Sequence, residues 1–327
     1  MNPRRLSVLV VAALLLAVAS VASVAYGAVD LPVRTVIDTL LGKTVDPGAA
    51  RIVNGIRVPS LVEAILVGAA LGVSGAVLQG ALQNPLASPD VIGVTAGAGF
   101  GATLILLVFP SSVALLPLGA LAFGLLAAIL VFSFAWSGRS RGSVSKVILA
   151  GIAIGAIFSG ATTSLLVAYP DRVQSVIFFL AGGLTPNGWI DLREFWPYFA
   201  AGGIISVLLI RPLDRLALGD DVAASLGSRP LVTRLTAGLA AALLASAAAA
   251  LAGLLGFVGL IVPHFVRMAG GTSQHAFVIP ASALCGATLL VSGDLLARTV
   301  ASVVLPVGPF MVVLGVPLFL WLLRKQV

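Results

Sequence analysis

Apolar runs long enough to cross a bilayer recur along the whole chain, and no other feature narrows its possible folds as much. Ten can be marked, near residues 6–28, 61–82, 92–109, 113–136, 147–168, 195–210, 233–252, 254–268, 276–297 and 306–323. Crossing about 30 Å of hydrocarbon takes roughly 20 apolar residues in a helix. The runs are uninterrupted rather than alternating, which argues against a transmembrane β-barrel. The expected fold is therefore an all-α polytopic membrane protein of about ten spans, one domain covering residues 1–327. The run at 254–268 is short, and Gly253, Gly256, Gly259 and Pro263 punctuate it. That pattern reads as a broken or partly inserted helix.

Composition agrees. Charged residues make up 9% of the 327 positions, against roughly 25% in soluble domains, too few to cover a water-facing surface. The single cysteine, Cys285, excludes an intrachain disulfide and a cysteine-based metal site. The net charge of +7 lacks the basic stripe with interleaved aromatics that nucleic-acid binding requires. It belongs instead to loops retained in the cytoplasm. With the N-terminus inside, 12 of the 19 basic residues face the cytoplasm, Arg139, Arg141 and Lys325 among them. Seven lie outside: Arg34, Lys43, Arg51, Arg57, Arg172, Arg193 and Arg298. This bias predicts a multi-pass inner-membrane protein with both termini cytoplasmic. The first run, preceded by Arg4 and Arg5, is longer than a signal-peptide core and is read as a retained span.

Two connecting segments carry information. The outer segment 29–57 sets Leu31, Val33, Val36, Ile37, Leu40 and Leu41 among polar residues, as an amphipathic helix on the membrane would. The inner loop 211–232 contains Asp220-Asp221-Val222-Ala223-Ala224-Ser225-Leu226, closed by Gly227 and Pro230. Acids at the start and a glycine stop predict a short exposed helix.

Apparent enzyme motifs fail on context. Gly42-Lys43-Thr44 lacks the first glycine of a phosphate-binding loop, Ile37 standing there, and Gly97–Ala102 fits a dinucleotide fingerprint without a preceding strand. His264 and His275 have no carboxylate near in sequence and read as loop or interface histidines. The chain is not expected to be an enzyme, and no catalytic or metal site is assigned. Gly68/Gly72, Gly93/Gly97/Gly101 and Gly151/Gly155 are spaced by four, which places each set on one helix face for close helix packing. Intramembrane acids are few. Glu63 and Asp294 lie near outer helix ends, and Asp294 can pair with Arg298 one turn on. No chain of acids crosses the membrane, which argues against a proton-driven carrier.

A long series of segments resembles the FecCD-type permeases of ATP-driven importers for iron chelates and cobalamin. The densest match runs from Arg57-Val58-Pro59-Ser60 through Gly68–Gly75 and Gln79-Gly80 to Asn84–Val94 and Gly97-Ala98. Others are Leu149–Ala153, Phe179–Leu184, Leu218–Gly227, Gly256–His264 and Pro306-Val307-Gly308. The resemblance implies a ten-helix subunit paired with a second copy or a paralogue. A periplasmic binding protein would deliver cargo, and two cytoplasmic ATPase subunits would use the ATP; this chain itself binds no cofactor. Arg57 and Arg298 occupy positions that dock the binding protein, while Ser60 stands where the family often has a second arginine. Asn84, Leu86, Val144 and Ser145 match the cytoplasmic gate, and Asp220, Asp221, Ala223, Ala224, Leu226 and Gly227 the helix that enters the ATPase. The segment Tyr169–Ser175 with Phe178-Phe179-Leu180 is more similar to siderophore permeases than to cobalamin ones. Cargo is then a ferric chelate, siderophore or haem, with cobalamin second. A secondary transporter or channel working without an ATPase is the alternative class.

Overall fold

In the computed structural model, residues 2–27, 29, 31–43, 46–137, 144–184, 189–300 and 305–324 are described. The predicted inner residues Arg139, Arg141 and Lys325 lie outside them. The described residues form helices joined by turns and contain no strand. In chain order these are α1 (Pro3–Ala25), α2 (Val33–Leu40), α3 (Pro47–Ile52), α4 (Val58–Leu82), α5 (Val94–Val108), α6 (Leu116–Ala135), α7 (Val144–Ala168) and α8 (Val173–Ala181). There follow α9 (Trp189–Leu208), α10 (Ile210–Leu216), α11 (Asp220–Ser225), α12 (Pro230–Ala252), α13 (Val258–Gly270), α14 (His275–Thr299) and α15 (Val307–Arg324).

Every predicted apolar run coincides with a helix, but the runs are unequal. Among the described residues, six helical stretches are long and apolar enough to cross a membrane, and a bent pair, α9 with α10 at 48°, makes a seventh. Three more, within α5, α13 and α15, are apolar but short. The 15 residues of α5 reach about 22 Å, less than the hydrocarbon thickness. The deficit has a local cause. Residues 83–93 leave the helical path, with Gln83 at φ 48° and Gly93 at φ 77°. From Ala87 onward they fold back into the protein, where Val91 and Ile92 lie against Gly151 of α7.

At the centre lie α4 and α12, the most enclosed of the spanning helices. Small residues make this possible. A Cβ on Gly68 would overlap the carbonyl of Gly286, and one on Gly72 that of Ser282, so α4 and α14 meet backbone to backbone. Gly97 and Gly101 do the same between α5 and α6, at Phe123 and Gly119. Two glycines depart from expectation. Gly93 is the cap of α5 rather than part of its face, and it meets α7 instead of α6. Gly155 would find its nearest neighbour 3.8 Å from an added Cβ, so packing there does not demand glycine.

The outer segment also differs from an isolated surface helix. From Pro47 the chain is helical without a break to Leu82, with a π-helical turn at Val53–Arg57. The extra residue in such a turn re-aims the side chains around it. Val36 of α2 is buried with Val24 and Val53, while Ile37, Leu40 and Leu41 stay exposed. On its polar side Asp38 lies 2.9 Å from Lys43 and 3.8 Å from Arg34. The Lys43 hydrogen bond holds its carboxyl below the usual range.

Candidate functional site

Three helix breaks meet on the side of the molecule that carries Arg57 and Arg298. Helix α8 is capped by Gly182, α12 by Gly253, and α15 begins at Val307. Backbone hydrogen bonds stitch the breaks together: Gly183 N–H to the Ala252 carbonyl at 2.9 Å, Leu254 N–H to Phe179 at 3.3 Å, and Gly308 N–H to Gly182 at 3.0 Å. Gly182 and Gly253 have positive φ, and a Cβ on Gly308 would overlap the Ala181 carbonyl. Three segments remote in sequence therefore form one junction that only glycine permits.

Above this junction opens a cavity of about 630 Å³. Its lining includes Gly183, Gly253, Pro306 and Val307 of the junction, the apolar Phe178, Phe179 and Leu116, and the polar Arg57, Ser60, Ser175, Asp294 and Arg298. Arg57, on the π turn, reaches back across the chain. Its guanidinium donates to the carbonyls of Val24 (2.8 Å), Ala25 (2.9 Å) and Val29, and so closes the end of α1. The residue is 3% exposed. Arg298 is also turned inward, 2.5 Å from Asp294 and 2.6 Å from the Ser23 hydroxyl.

On the opposite side, the turn after α4 is set by Asn84, whose Oδ1 accepts the Leu86 N–H at 2.9 Å. Leu86 is exposed. The same segment ends at Gly93, packed on Gly151, and Val144 and Ser145 begin α7 two turns before that contact. The four residues thus belong to one loop–helix unit joined at Gly93 and Gly151.

Farther along, α11 stands on the surface between Gly219 (φ 97°) and Gly227 (φ 78°). Its end is a Schellman closure: Ser228 N–H bonds to the Ala223 carbonyl and Gly227 N–H to Ala224, both at 2.9 Å. Both oxygens of Asp220 accept from Arg234 of α12 at 2.7 Å, a fork that fixes the short helix to a core helix.

A model of the FecCD transport family matches residues 15–325. The chain belongs to the FecCD transport family. Among its relatives, the Fe(3+)-citrate import system permease protein YfmE of Bacillus subtilis (strain 168) is 35% identical over 325 residues, 99% of this chain and 96% of that protein. The vitamin B12 import system permease protein BtuC of Shigella boydii serotype 18 is 36% identical over 294 residues, 87% of each. A solved inward-facing metal-chelate type ABC transporter superposes with a TM-score of 0.87 at 31% identity, covering 98% of this chain and 99% of that one. This FecCD protein is thus a multi-pass permease of the class that imports iron chelates, haem or vitamin B12.

One placement corrects the sequence reading. Arg57 and Arg298 come together at one cavity, each held within the chain, and Arg298 lies on Asp294 as their spacing predicted. Ala223 does not belong to the exposed face of α11. It is fully buried, and the surface is Asp221, Val222, Ala224, Ser225 and Leu226. Sequence reading also missed the partners from distant segments: Ser23 for Arg298, Arg234 for Asp220, and Asp214, whose carboxylate lies 2.7 Å from His275 Nδ1. Separations of 275, 14 and 61 residues leave no pattern in a single chain.

Proposed function

We propose that this FecCD permease carries a ferric chelate, siderophore or haem, from periplasm to cytoplasm, driven by ATP. Two copies, or one copy and a paralogue, form the path; two ATPase subunits bind on the side of α11; a periplasmic binding protein docks on the side of the cavity. The ten helical runs are its membrane crossings in the inner membrane, with both termini cytoplasmic. ATP is hydrolysed by the partner subunits, and this chain holds no cofactor of its own.

The observation that carries the reading is α11. A six-residue helix has no stability of its own, yet this one is capped by two glycines and clamped to α12 by the Asp220–Arg234 fork. A surface helix made rigid in this way transmits displacement to the core helix rather than absorbing it. Co-purification of an ATPase subunit with the wild-type chain, lost in Ala224→Trp, supports this role; an undiminished complex in that variant contradicts it.

Cargo rests on the cavity wall. Ser175 and Phe178 line it, and both belong to the Tyr169–Leu180 region that resembles siderophore permeases. Arg172 anchors this region by donating to the Leu107 carbonyl at 2.7 Å. Cobalamin is the second reading, supported by the 36% identity to BtuC over 294 residues. Uptake of labelled ferric chelate against labelled cobalamin separates the two.

A further inference from the structure

A crevice of about 440 Å³ opens between α1, α13, α14 and α15, away from the cavity just described. Its lining is almost wholly apolar and includes Val11 and Leu15 of α1, Phe265 of α13, and Cys285 and Leu289 of α14. Val11 and Leu15 are exposed on α1, which is long and apolar enough to cross a membrane, and Phe265 is exposed on the shorter α13 beside it, so the crevice is open on an apolar outer face. What distinguishes it from an ordinary lipid-facing groove is its end. The crevice residues of α1, from Ser7 to Leu15, continue at helical spacing through Arg4 and Arg5. The Arg4 Nε donates to the carbonyl of Ala269, itself a lining residue, at 2.8 Å, and Nη2 to Met268 at 2.9 Å. Arg5 donates Nη1 to Gln274 at 2.8 Å, while its Nε is buried without a hydrogen-bond partner among the described residues. From Arg4 to Leu15 the helix rises about 16 Å, close to half of the roughly 30 Å hydrocarbon layer.

We infer that this crevice binds one anionic phospholipid, its headgroup phosphate on Arg4 and Arg5 and an acyl chain lying along Val11, Leu15 and Phe265. Two guanidinium groups held within about one helical turn of the lining residues Ser7 and Val8, Arg4 on the lining residue Ala269, match that amphiphile in both charge and length. A zwitterionic lipid also presents a phosphate, but its own cation offsets that charge, so its attraction to the two guanidinium groups is weaker. The bound lipid lies along the seam between α1 and α13–α15, which is also tied by the Thr288 hydroxyl donating to the Ala12 carbonyl at 3.2 Å and by the contacts of Arg4, Arg5 and Arg298. The inference uses only the membrane-spanning fold and is independent of cargo and of the ATPase.

Cys285, the only cysteine, reports occupancy from inside the slot. The full chain in detergent is titrated with phosphatidylglycerol, phosphatidylcholine or inorganic phosphate, and the rate of Cys285 modification by N-ethylmaleimide is followed. Phosphatidylglycerol should protect at a concentration roughly tenfold below phosphatidylcholine, the scale of one or two basic side chains facing an anionic headgroup. Inorganic phosphate alone should not protect. Arg5→Gln, which spares the carbonyl contacts of Arg4, should remove most of the preference, and Leu15→Trp should weaken protection by both lipids. Native mass spectrometry should find one phosphatidylglycerol retained per wild-type chain and less in Arg5→Gln. Equal protection by the two lipids, or an unchanged preference in Arg5→Gln, overturns the inference.

Discussion

Arg298 and Asp294, one turn apart near the end of α14, form an ion pair of 2.5 Å with side chains only 13% and 8% exposed. A carboxylate withdrawn from water in this way depends on its cation, because an uncompensated buried charge is far more costly than the pair. The Ser23 hydroxyl adds the end of α1 to the arrangement. Arg298 is therefore a structural member of the cavity wall before it can be anything else.

Replacing Arg298 with Ala should lower stability by about 3 kcal/mol or more, the usual cost of orphaning one member of a buried pair. Removing both members in Arg298→Ala/Asp294→Ala should recover part of that loss. Thermal unfolding in detergent measures it, and a double variant worse than the sum of the single ones contradicts the pairing.

Arg57→Ala should detach the end of α1 from the π turn, since three carbonyls lose their donor. The loss is expected to exceed about 2 kcal/mol, hydrogen bonds to charged groups being worth about 1.5–3 kcal/mol each. Arg57→Lys should not restore it, because an ammonium cannot reproduce the fork. If instead Arg57→Ala unfolds like wild type and only loses capture of a binding protein, Arg57 is a docking residue alone.

Much of this fold was legible in the chain because bilayer thickness imposes run length, and each of the ten apolar runs became a helix. Close packing at Gly68, Gly72, Gly97 and Gly101 was legible for a related reason: only a missing side chain lets backbones touch. What the sequence hid is what depends on the third dimension. The π turn that swings Arg57 inward has no signature in Val53–Arg57. The meeting of Gly182, Gly253 and Gly308 needs three segments to be brought together from across the chain. Likewise the periodicity of a six-residue helix is too short to say that Ala223 faces in and Ala224 out.

That last difference is testable. Ala223→Trp should disrupt the seat of α11 against its own chain and lower folded yield. Ala224→Trp should leave insertion and unfolding temperature near wild type while blocking assembly with an ATPase. Size-exclusion chromatography and co-purification separate the two outcomes; identical behaviour of both variants contradicts the assigned faces.

Glycine substitutions should divide in the same manner. Gly68→Ala places a methyl group into the Gly286 carbonyl and should cost more than 1 kcal/mol, in the range of overpacked cores. Gly155→Ala has room and gains helix propensity, so its effect should stay within about 1 kcal/mol of neutral or improve stability. Unfolding midpoints of the purified variants decide this.

Under the proposed function, this permease moves a ferric chelate only when an ATPase drives it. The direct measurement is uptake of iron-55 chelate into proteoliposomes holding the chain, its ATPase and its binding protein. Accumulation should require ATP inside the compartment that holds the ATPase, stop when the ATPase is omitted, and exceed that of labelled cobalamin. Accumulation by the chain alone, driven by an ion gradient without ATP, would contradict the account.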